Sequence, residues 1–478
     1  MSVNLGKIWV PGFRNLEVLK DPHCEAYKRV FSHITDLALA QVFSEENLSA
    51  VVSDGASKHG LLRKGNLLQI MRGSPHPRDV APQARKAVAA VALAVTHSPE
   101  QAAQLLDRAG IVTDLTRATQ SITALQNQLR RQSQGLVNAY LHVTYACNLQ
   151  CNHCYASSNP HRTETMPVEN VARLVRNAAR AGFGKAVITG GEPMAHPQRD
   201  TLLDALAALR PTIKPMQIVL RTNLAYSLTP AFIEKIAQSV DQIVVSIDGN
   251  QASHDARRGS GTYARTVTNL EGLRDLPGLS LTAVLNASQI IGAEGNAVRA
   301  LGEELGIGVR FKPVLPMGRA ATQSLAPEFY SSLDEDSSEI VAHRLRVAST
   351  CGLGMNLYIA PDGECFPCYA LMGARHTLGK ARADGLDAVL GAERFQSFKR
   401  VTVDSNAQCQ KCVLRYLCGG FCRAWGHDDD PDAPPRDCTA LHQRARELLV
   451  SALETLNVSV EQWRAAGLPV PDAPPTML

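Results

Sequence analysis

Two patterns of hydrophobic positions alternate along the chain between residues 138 and 312. Short apolar runs are typical of buried strands, and the segments between them carry apolar residues at helical spacing. Regular alternation of strand and helix predicts an α/β fold with a parallel sheet. The predicted strands are 139–145, 186–189, 217–221, 242–247, 279–285 and 308–312, and the predicted helices are 167–181, 201–209, 264–273, 294–305 and one that begins at Pro230 with Thr229 as its cap.

The number of strand–helix units predicts a barrel that does not close. A complete barrel of eight units takes roughly 250 residues, whereas residues 136–320 have room for about six. We therefore predict a partial (β/α)6 TIM-type barrel. Periodicity alone leaves an open, doubly wound sheet as the alternative.

The regions on either side of the barrel have different patterns. The first 135 residues contain a predicted strand pair within 60–71, helices over 81–97 and 99–109, and a polar, glutamine-rich helical linker over 117–133. The predicted domains are an N-terminal α+β module (1–135), the barrel (136–320), a polar linker (321–348), a cysteine-rich domain (349–445), and a C-terminal helix with a proline-rich tail (446–478).

Charge and composition exclude several function classes. The formal net charge is +4, too small for the basic face of a nucleic-acid-binding protein. No apolar run reaches the roughly eighteen residues of a membrane span, and the N-terminus lacks a signal-peptide pattern. We therefore expect a cytoplasmic protein. In that reducing compartment cysteines are more often metal ligands than disulfides, and eleven of the twelve lie after residue 146 in two clusters.

The first cysteine cluster, which we call the cluster loop, is Cys147, Cys151 and Cys154, directly after the first predicted strand. A closed 4Fe–4S cluster or a structural zinc site uses four protein ligands. Three thiols would leave one iron of a cubane open to another ligand, which predicts a reaction site. A zinc site that borrows a distant fourth cysteine is the alternative.

Polar and glycine residues collect at the ends of the other predicted strands. In parallel α/β folds these ends meet at one edge, where chemistry is concentrated. Arg258, which follows the fourth strand, can hold a carboxylate, and Ser246 and Asp248 suit ribose hydroxyls. The residues at the strand ends are Gly190, Gly191, Glu192 and Pro193 after the second strand, Thr222 and Asn223 after the third, Ser246 and Asp248 at the fourth, Asn286 at the fifth, and Arg310 and Lys312 on the sixth.

This order of motifs resembles the radical S-adenosylmethionine (SAM) superfamily. The resemblance implies a 4Fe–4S cluster on Cys147, Cys151 and Cys154, with SAM at the fourth iron. It also implies reductive cleavage of SAM to a 5′-deoxyadenosyl radical that abstracts hydrogen from a substrate. His153 would pack near the adenine, and Leu224 replaces the glycine that commonly follows Asn223. An alternative for Asn286 is that it only caps the loop that follows it. The expected SAM-binding residues are His153, Gly190, Gly191, Glu192, Pro193, Ser246, Asp248, Arg258 and Asn286.

The second cysteine cluster resembles the SPASM extension of that superfamily, which implies two auxiliary 4Fe–4S clusters and three in all. By resemblance the outer cluster uses Cys409, Cys412, Cys418 and Cys438, and the inner cluster uses Cys351, Cys368 and Cys422. Three alternatives stay open for the fourth ligand of the inner cluster: Cys365 completes it, a substrate group binds there, or the position is unfilled and Cys365 is a spectator thiol. Zinc is the alternative, because CxxC pairs also suit zinc ribbons.

The resemblance implies an enzyme that modifies a peptide. We expect a maturase of a ribosomally made precursor peptide that forms a thioether or carbon–carbon crosslink or a related modification, with flavodoxin or ferredoxin as reductant and residues 1–135 recognising a leader. Tyr369 stands where sulfatase maturases carry aspartate, which argues against that activity. The alternatives are a dehydrogenase or epimerase of a small molecule, and a non-enzymatic iron–sulfur carrier. No general base is identified; Lys312, Arg310 and Tyr369 are candidates by position alone.

Overall fold

The computed structural model describes residues 93–108, 114–274, 276, 278–312, 314, 317–322, 348–381 and 385–420. The chain divides into two compact units. One, the sheet unit, comprises the described residues of Leu136–Glu335 and Gly354–Phe398. The other, the helical unit, comprises those of Met1–Gly135, Asp336–Leu353 and Lys399–Leu478.

Eight strands form the single sheet of the sheet unit, among the residues described. The first seven strands pair in parallel, and the eighth is antiparallel to the seventh. The spatial order is β6-β5-β4-β3-β2-β1-β7-β8. The strands are β1 (Asn138–Thr144), β2 (Lys185–Gly190), β3 (Gln217–Thr222), β4 (Gln242–Ser246), β5 (Leu279–Val284), β6 (Gly308–Lys312), β7 (Asn356–Ile359) and β8 (Cys365–Phe366).

The strand order decides between the two predicted architectures. A doubly wound sheet reverses its strand order near the middle, whereas β1 to β6 follow one another without reversal. The sheet is mostly parallel and remains unclosed, which confirms the partial barrel. The sequence did not predict β7, which extends the sheet by pairing with the other edge of β1.

The helices of the sheet unit lie close to their predicted positions. Thr229 caps its helix by accepting the Phe232 N–H, as predicted. The helices of this unit are α3 (Val168–Arg180), α4 (Arg199–Leu209), α5 (Pro230–Ser239), α6 (Gln251–Arg258), α7 (Thr262–Gly272), α8 (Ala287–Ile291), α9 (Ala293–Glu304), α10 (Arg319–Thr322) and α11 (Asp387–Gly391); α12 (Glu393–Arg400) runs from this unit into the helical unit.

Alternate strand residues face two different environments, because successive side chains of a strand point to opposite faces. Ala139, Leu141 and Val143 of β1 belong to the large core that includes buried residues of the helices. Tyr140 belongs instead to a small cluster on the opposite face with Tyr358 of β7. This second face is the interior of the partial barrel.

The helical unit contains α1 (Pro99–Arg108) and α2 (Leu115–Arg131). The helix predicted over 117–133 is present as α2, but its interpretation as a polar linker is wrong. Ile122, Leu125 and Leu129 are buried on one face, and the buried Gln126 amide donates to the Ala94 and His97 carbonyls at 2.8 and 2.7 Å. Glutamine on this helix satisfies backbone acceptors, so a polar residue does not mark an exposed surface.

The rest of the helical unit joins separate parts of the chain. Ser349 N–H donates to Gln132 Oε1 at 2.8 Å, and Val403 N–H donates to the Ser349 carbonyl at 2.7 Å. The other helices of this unit are α13 (Ala407–Gln410) and α14 (Arg415–Cys418).

Several predictions fall outside the described residues. They are the strand pair within 60–71, most of helix 81–97, most of the linker 321–348, Cys422, Cys438, and the C-terminal helix and tail. Within the part of the chain that is described, no helix is long and apolar enough to cross a membrane.

Candidate active site

The cluster loop leaves the carboxyl end of β1 and is fixed by backbone hydrogen bonds at its start. Cys147 N–H donates to the Asn159 carbonyl at 3.1 Å, and the Ala146 carbonyl accepts the Glu192 N–H at 3.0 Å. Cys147 Sγ itself accepts the Leu149 N–H at 3.4 Å. N–H donors on cysteine sulfur are a common way in which proteins adjust iron–sulfur clusters.

Two distant segments hold the middle and end of the cluster loop. The Arg257 carbonyl of α6 accepts the Asn152 N–H at 3.0 Å. Arg319 of α10 donates from Nε to the Cys151 carbonyl and from Nη2 to the Ser158 carbonyl, both at 2.7 Å. No role for Arg319 was predicted, because nothing local in its sequence relates it to a loop about 160 residues earlier.

The three thiols of the cluster loop lie within electrostatic range of one another. Burial, and then Glu192, raises the pKa of Cys147 to about 12. Burial also raises the pKa of Cys151, which Arg258 and Arg319 act to lower. Among the described residues, no three His, Cys, Asp or Glu side chains converge closely enough for one metal ion. An iron–sulfur cluster takes its cysteine sulfurs on several irons rather than on one metal ion, and thiolates are the donor type that such a cluster requires.

The adjacent glycines after β2 are required by close approach to the backbone that leads into the cluster loop. A Cβ at Gly191 would lie 2.2 Å from the Ala146 carbonyl oxygen, and a Cβ at Gly190 would lie 2.2 Å from that of Thr144. Gly190 also has a φ of +134°, which favours glycine. Glycine at both positions therefore lets the end of β2 pack directly against the backbone that leads into the cluster loop.

The Glu192 carboxylate joins the ends of β2 and β3. Its Oε2 accepts the Asn223 N–H at 2.7 Å, and its Oε1 accepts the Thr222 hydroxyl at 2.9 Å and the Met194 N–H at 3.1 Å. Burial raises its pKa to about 7 even though these donors act to lower it. The side chain is 1% exposed, and Pro193 opens the short 3-10 turn Pro193–Ala195 behind it.

Asn223 faces the cluster loop. Its Nδ2 donates to Asn148 Oδ1 at 2.8 Å and approaches Cys147 Sγ at 3.8 Å. The following residue, Leu224, has a φ of +56°, and its carbonyl accepts a hydrogen bond from Asn269. Leu224 thus adopts the left-handed conformation that favours glycine. Because a glycine commonly stands at this position in the family that the chain resembles, the sequence could have indicated this conformation.

A buried group of charges lies at the end of β4. Asp248 is fully buried, and its Oδ2 contacts Arg258 Nε at 2.6 Å and His153 Nε2 at 3.2 Å. Its Oδ1 accepts the Val284 N–H at 2.7 Å. Burial acts to raise the pKa of Asp248, but the Arg258 guanidinium, helped by the Val284 N–H, outweighs burial and holds that pKa low. Burial lowers the pKa of His153 to about 3, so this imidazole is neutral.

The structure uses two of the predicted SAM-binding side chains in other ways. Both carboxylate oxygens of Asp248 are engaged by protein groups. Asn286 is the N-cap of α8, where its side chain accepts the Gln289 N–H and the Gln289 side chain accepts the Asn286 N–H. The half-buried Ser246 ends β4 beside Thr282 of β5.

The predicted auxiliary ligands lie in both units. In the sheet unit, Cys365 is fully buried in the large core on the outer face, and burial raises its pKa to about 12. Cys365 thus lies in the outer core, whereas Cys368 follows the end of β8 and lies within electrostatic range of Tyr358. Cys351, Cys409, Cys412 and Cys418 belong to the helical unit, and Cys422 and Cys438 lie outside the described residues.

Comparison with protein families gives two matches. Residues 141–285 match the model of the radical SAM superfamily. Residues 351–413 match the SPASM model, an iron–sulfur cluster-binding domain.

Curated relatives and solved structures give further likenesses. The chain is 24% identical over 307 residues to the subtilosin biosynthesis protein AlbA of Bacillus subtilis (strain 168), covering 59% of this chain and 66% of AlbA. It is 26% identical over 311 residues to the mycofactocin maturase MftC of Mycobacterium ulcerans (strain Agy99), covering 59% and 81%. The structure of anSMEcpe with bound AdoMet has a TM-score of 0.51 at 16% identity, covering 71% of this chain and 100% of that one. At that identity the likeness shows the fold alone.

Proposed function

We propose that this chain, in which residues 141–285 match the radical SAM superfamily and residues 351–413 match the SPASM domain, is a maturase that modifies a ribosomally made precursor peptide. The radical SAM match implies a SAM-dependent enzyme with a 4Fe–4S cluster, and the SPASM match implies further iron–sulfur clusters. Cys147, Cys151 and Cys154 would hold the cluster, which when reduced would supply the electron for reductive cleavage of SAM and so for hydrogen abstraction from the substrate.

The observation that carries this proposal is the position of the cluster loop. Cys147, Cys151 and Cys154 follow the carboxyl end of β1, and Arg258 lies close enough to Cys151 to act on its charge. The thiols and a buried guanidinium thus share one mouth of the partial barrel. The guanidinium can hold the carboxylate of an amino acid bidentately.

We propose the following SAM contacts. Arg258 binds the carboxylate, the backbone at Gly190, Gly191, Glu192 and Pro193 borders the methionyl part, and Ser246 takes a ribose hydroxyl. His153 packs near the adenine. Asp248 is a positioning residue that orients Arg258 and His153, because both of its oxygens are already engaged. A role for Asn286 is limited to its backbone, since its side chain caps α8.

The proposed clusters number three. Cys147, Cys151 and Cys154 hold the first. The outer auxiliary cluster takes Cys409, Cys412, Cys418 and Cys438, and the inner one takes Cys351, Cys368 and Cys422. Burial of Cys365 in the apolar core supports leaving it out of the ligand set.

A peptide substrate is supported by the relatives, whose names place AlbA in bacteriocin biosynthesis and MftC among maturases. A thioether or carbon–carbon crosslink is the proposed product. Flavodoxin or ferredoxin is the proposed reductant, residues 1–135 are proposed to recognise the leader, and the cytoplasm is the proposed location. A small-molecule substrate is the second candidate, because the chain is also 28% identical over 215 residues to the GTP 3′,8-cyclase of Moorella thermoacetica, a match that covers 42% of this chain.

The test is SAM cleavage by the anaerobically reconstituted full-length protein with dithionite. We expect 5′-deoxyadenosine, and mass changes in co-expressed candidate peptides. If protein with a full iron and sulfide content forms no 5′-deoxyadenosine, the proposed enzymatic activity is refuted. Cleavage with products found only on small molecules would favour the second candidate.

A further inference from the structure

Several basic side chains lie near one another on the interior face of the partial barrel. Lys312, at the end of β6, is partly buried, and the charged groups that act on it are Arg221 and Arg310. Burial and these two guanidinium groups hold the pKa of Lys312 well below its usual range. Like charges held together in a partly buried site are costly unless an anion joins them.

Buried polar atoms without partners face the same interior. Arg221 Nε, His142 Nδ1 and Thr282 Oγ1 have no hydrogen-bond partner among the described residues. His142 is fully buried, and its other nitrogen, Nε2, lies 3.3 Å from the Tyr155 hydroxyl. Buried polar atoms are nearly always satisfied by protein, water or ligand, so these three indicate a polar group that the site takes up.

Aromatic rings fix the orientation of Arg221. Its Cζ lies 5.0 Å from the centre of the Tyr140 ring, which stacks on Tyr358 with centroids 4.2 Å apart and an interplanar angle of 7°. A guanidinium held over an aromatic face keeps its donors aligned for a planar acceptor. This stack forms a rigid, apolar wall beside the charged groups.

The charged interior adjoins the reaction site. Tyr155 directly follows Cys154 in the cluster loop, and both Cys154 and Arg221 act on its hydroxyl. A group bound between Arg221 and Lys312 would therefore lie next to the cluster loop. Such a contact can hold a substrate in position during hydrogen abstraction.

We propose that Arg221, Lys312 and His142 form a binding site for a carboxylate of the substrate, inside the barrel beside the cluster loop. A carboxylate matches the bidentate geometry of Arg221 and would favour the charged form of the neighbouring lysine. The inference rests on the proposed peptide substrate, and the carboxylate belongs either to an acidic side chain or to a C-terminus.

The test is equilibrium dialysis of radiolabelled probe peptides against the reconstituted full-length protein. The probes are acetyl-Gly-Ala-Ala-Glu-Ala-Ala-Gly-amide, its Gln counterpart, and the Gln peptide with a free C-terminal acid. We expect at least one acid probe to bind about tenfold more tightly than the Gln amide. Preference for the Glu amide assigns a side-chain carboxylate, and preference for the free acid assigns a C-terminus. Equal or absent binding of all three would overturn the site.

Variants test whether Arg221 and Lys312 cause the preference for the acid probes. Arg221→Gln and Lys312→Met should each abolish it, whereas Lys380→Met, at an exposed lysine paired with Asp362, should keep it. Preference retained in both site variants would also overturn the proposal. The comparison in the wild-type protein stands even if a variant does not fold. SAM cleavage without the preference refutes this site alone, and the preference without SAM cleavage refutes the proposed enzyme alone.

Discussion

Single residues at the strand ends act mainly by supporting the cluster loop. Gly190 and Gly191 make room for the backbone that leads into it. Glu192 accepts a hydrogen bond from the Asn223 N–H, and the Asn223 side chain donates to Asn148 in the loop. Asp248 orients Arg258 and His153. The chemistry of the site thus depends on packing and hydrogen bonds at a few buried positions.

Replacement of Gly191 by alanine tests the close approach. The new Cβ would lie 2.2 Å from the Ala146 carbonyl oxygen, a backbone atom that cannot rotate away. Overpacking of this kind costs about 1–3 kcal/mol, so we expect Gly191→Ala to unfold at lower urea concentration and to retain less iron after reconstitution. The control is Gly308→Ala, where nothing lies within 4 Å of the built Cβ. Equal behaviour of the two variants would contradict the steric account.

His254 predicts a pH dependence of stability. Burial, and then Arg258, lowers its pKa to about 4, and its Nδ1 accepts the Asp248 N–H at 3.1 Å. Because the folded pKa lies below the unfolded value of about 6.5, the unfolded chain takes up the proton first. Stability is therefore lost as pH falls from 6.5 towards 4, by about 2 kcal/mol at pH 5.

The measurement is urea unfolding at pH 7 and pH 5. His254→Asn should lose less stability between these pH values than the wild type, by roughly that amount. His161→Asn changes an exposed histidine and should show the wild-type difference. A wild-type slope in His254→Asn would show that another group carries the effect.

At the scale of elements, the cluster loop is held by segments far away in sequence. The Arg257 carbonyl at the end of α6 accepts the Asn152 N–H. Arg319 at the start of α10 donates to the Cys151 and Ser158 carbonyls. A β-strand not predicted from sequence, β7, brings Tyr358 into the interior beside Tyr140. The loop and the interior are thus products of long-range contacts.

Removal of the Arg319 side chain tests this support. Arg319→Met deletes two charge-assisted hydrogen bonds to loop carbonyls, each worth about 1.5–3 kcal/mol. We expect about tenfold faster loss of iron from the reconstituted protein to a ferrous chelator, because the loop opens more often. Arg130→Met removes an exposed arginine that bonds to Asn127 and should lose iron at the wild-type rate. Unchanged iron release in Arg319→Met would show that α10 does not hold the loop.

At the scale of the whole molecule, the predicted iron ligands fall in both compact units. The cluster loop and Cys368 belong to the sheet unit, whereas Cys351, Cys409 and Cys412 belong to the helical unit. The cysteine-rich domain over 349–445 stays a prediction.

The cluster count is tested by iron content. Replacing Cys147, Cys151 and Cys154 together by alanine should remove about four irons per chain, leave the auxiliary iron in place, and abolish 5′-deoxyadenosine formation. Cys365→Ala should retain the full iron content, because that thiol packs in the apolar core. Loss of iron from Cys365→Ala would make it the missing ligand of the inner cluster.

Sequence patterns located the strands and helices of the barrel well. The predicted run 217–221 corresponds to Gln217–Thr222 and 308–312 to Gly308–Lys312, because buried strands and amphipathic helices follow local hydrophobic spacing. The spacing of the cysteines identified the cluster loop for the same reason, since its ligands are close neighbours in sequence. The polar helix α2 was misjudged because glutamine can be buried when it bonds backbone carbonyls.

By itself the sequence determined the six strand–helix units, the cluster loop, and which polar residues collect at the strand ends. Only the tertiary structure decided what those residues face: Asp248 meets Arg258, Asn286 caps its own helix, Arg319 reaches the cluster loop, and Arg221 and Lys312 come together in the interior. The physical reason is range. Periodicity and ligand spacing are local properties of the chain, whereas the partner of a buried charge depends on which distant segment the fold brings beside it.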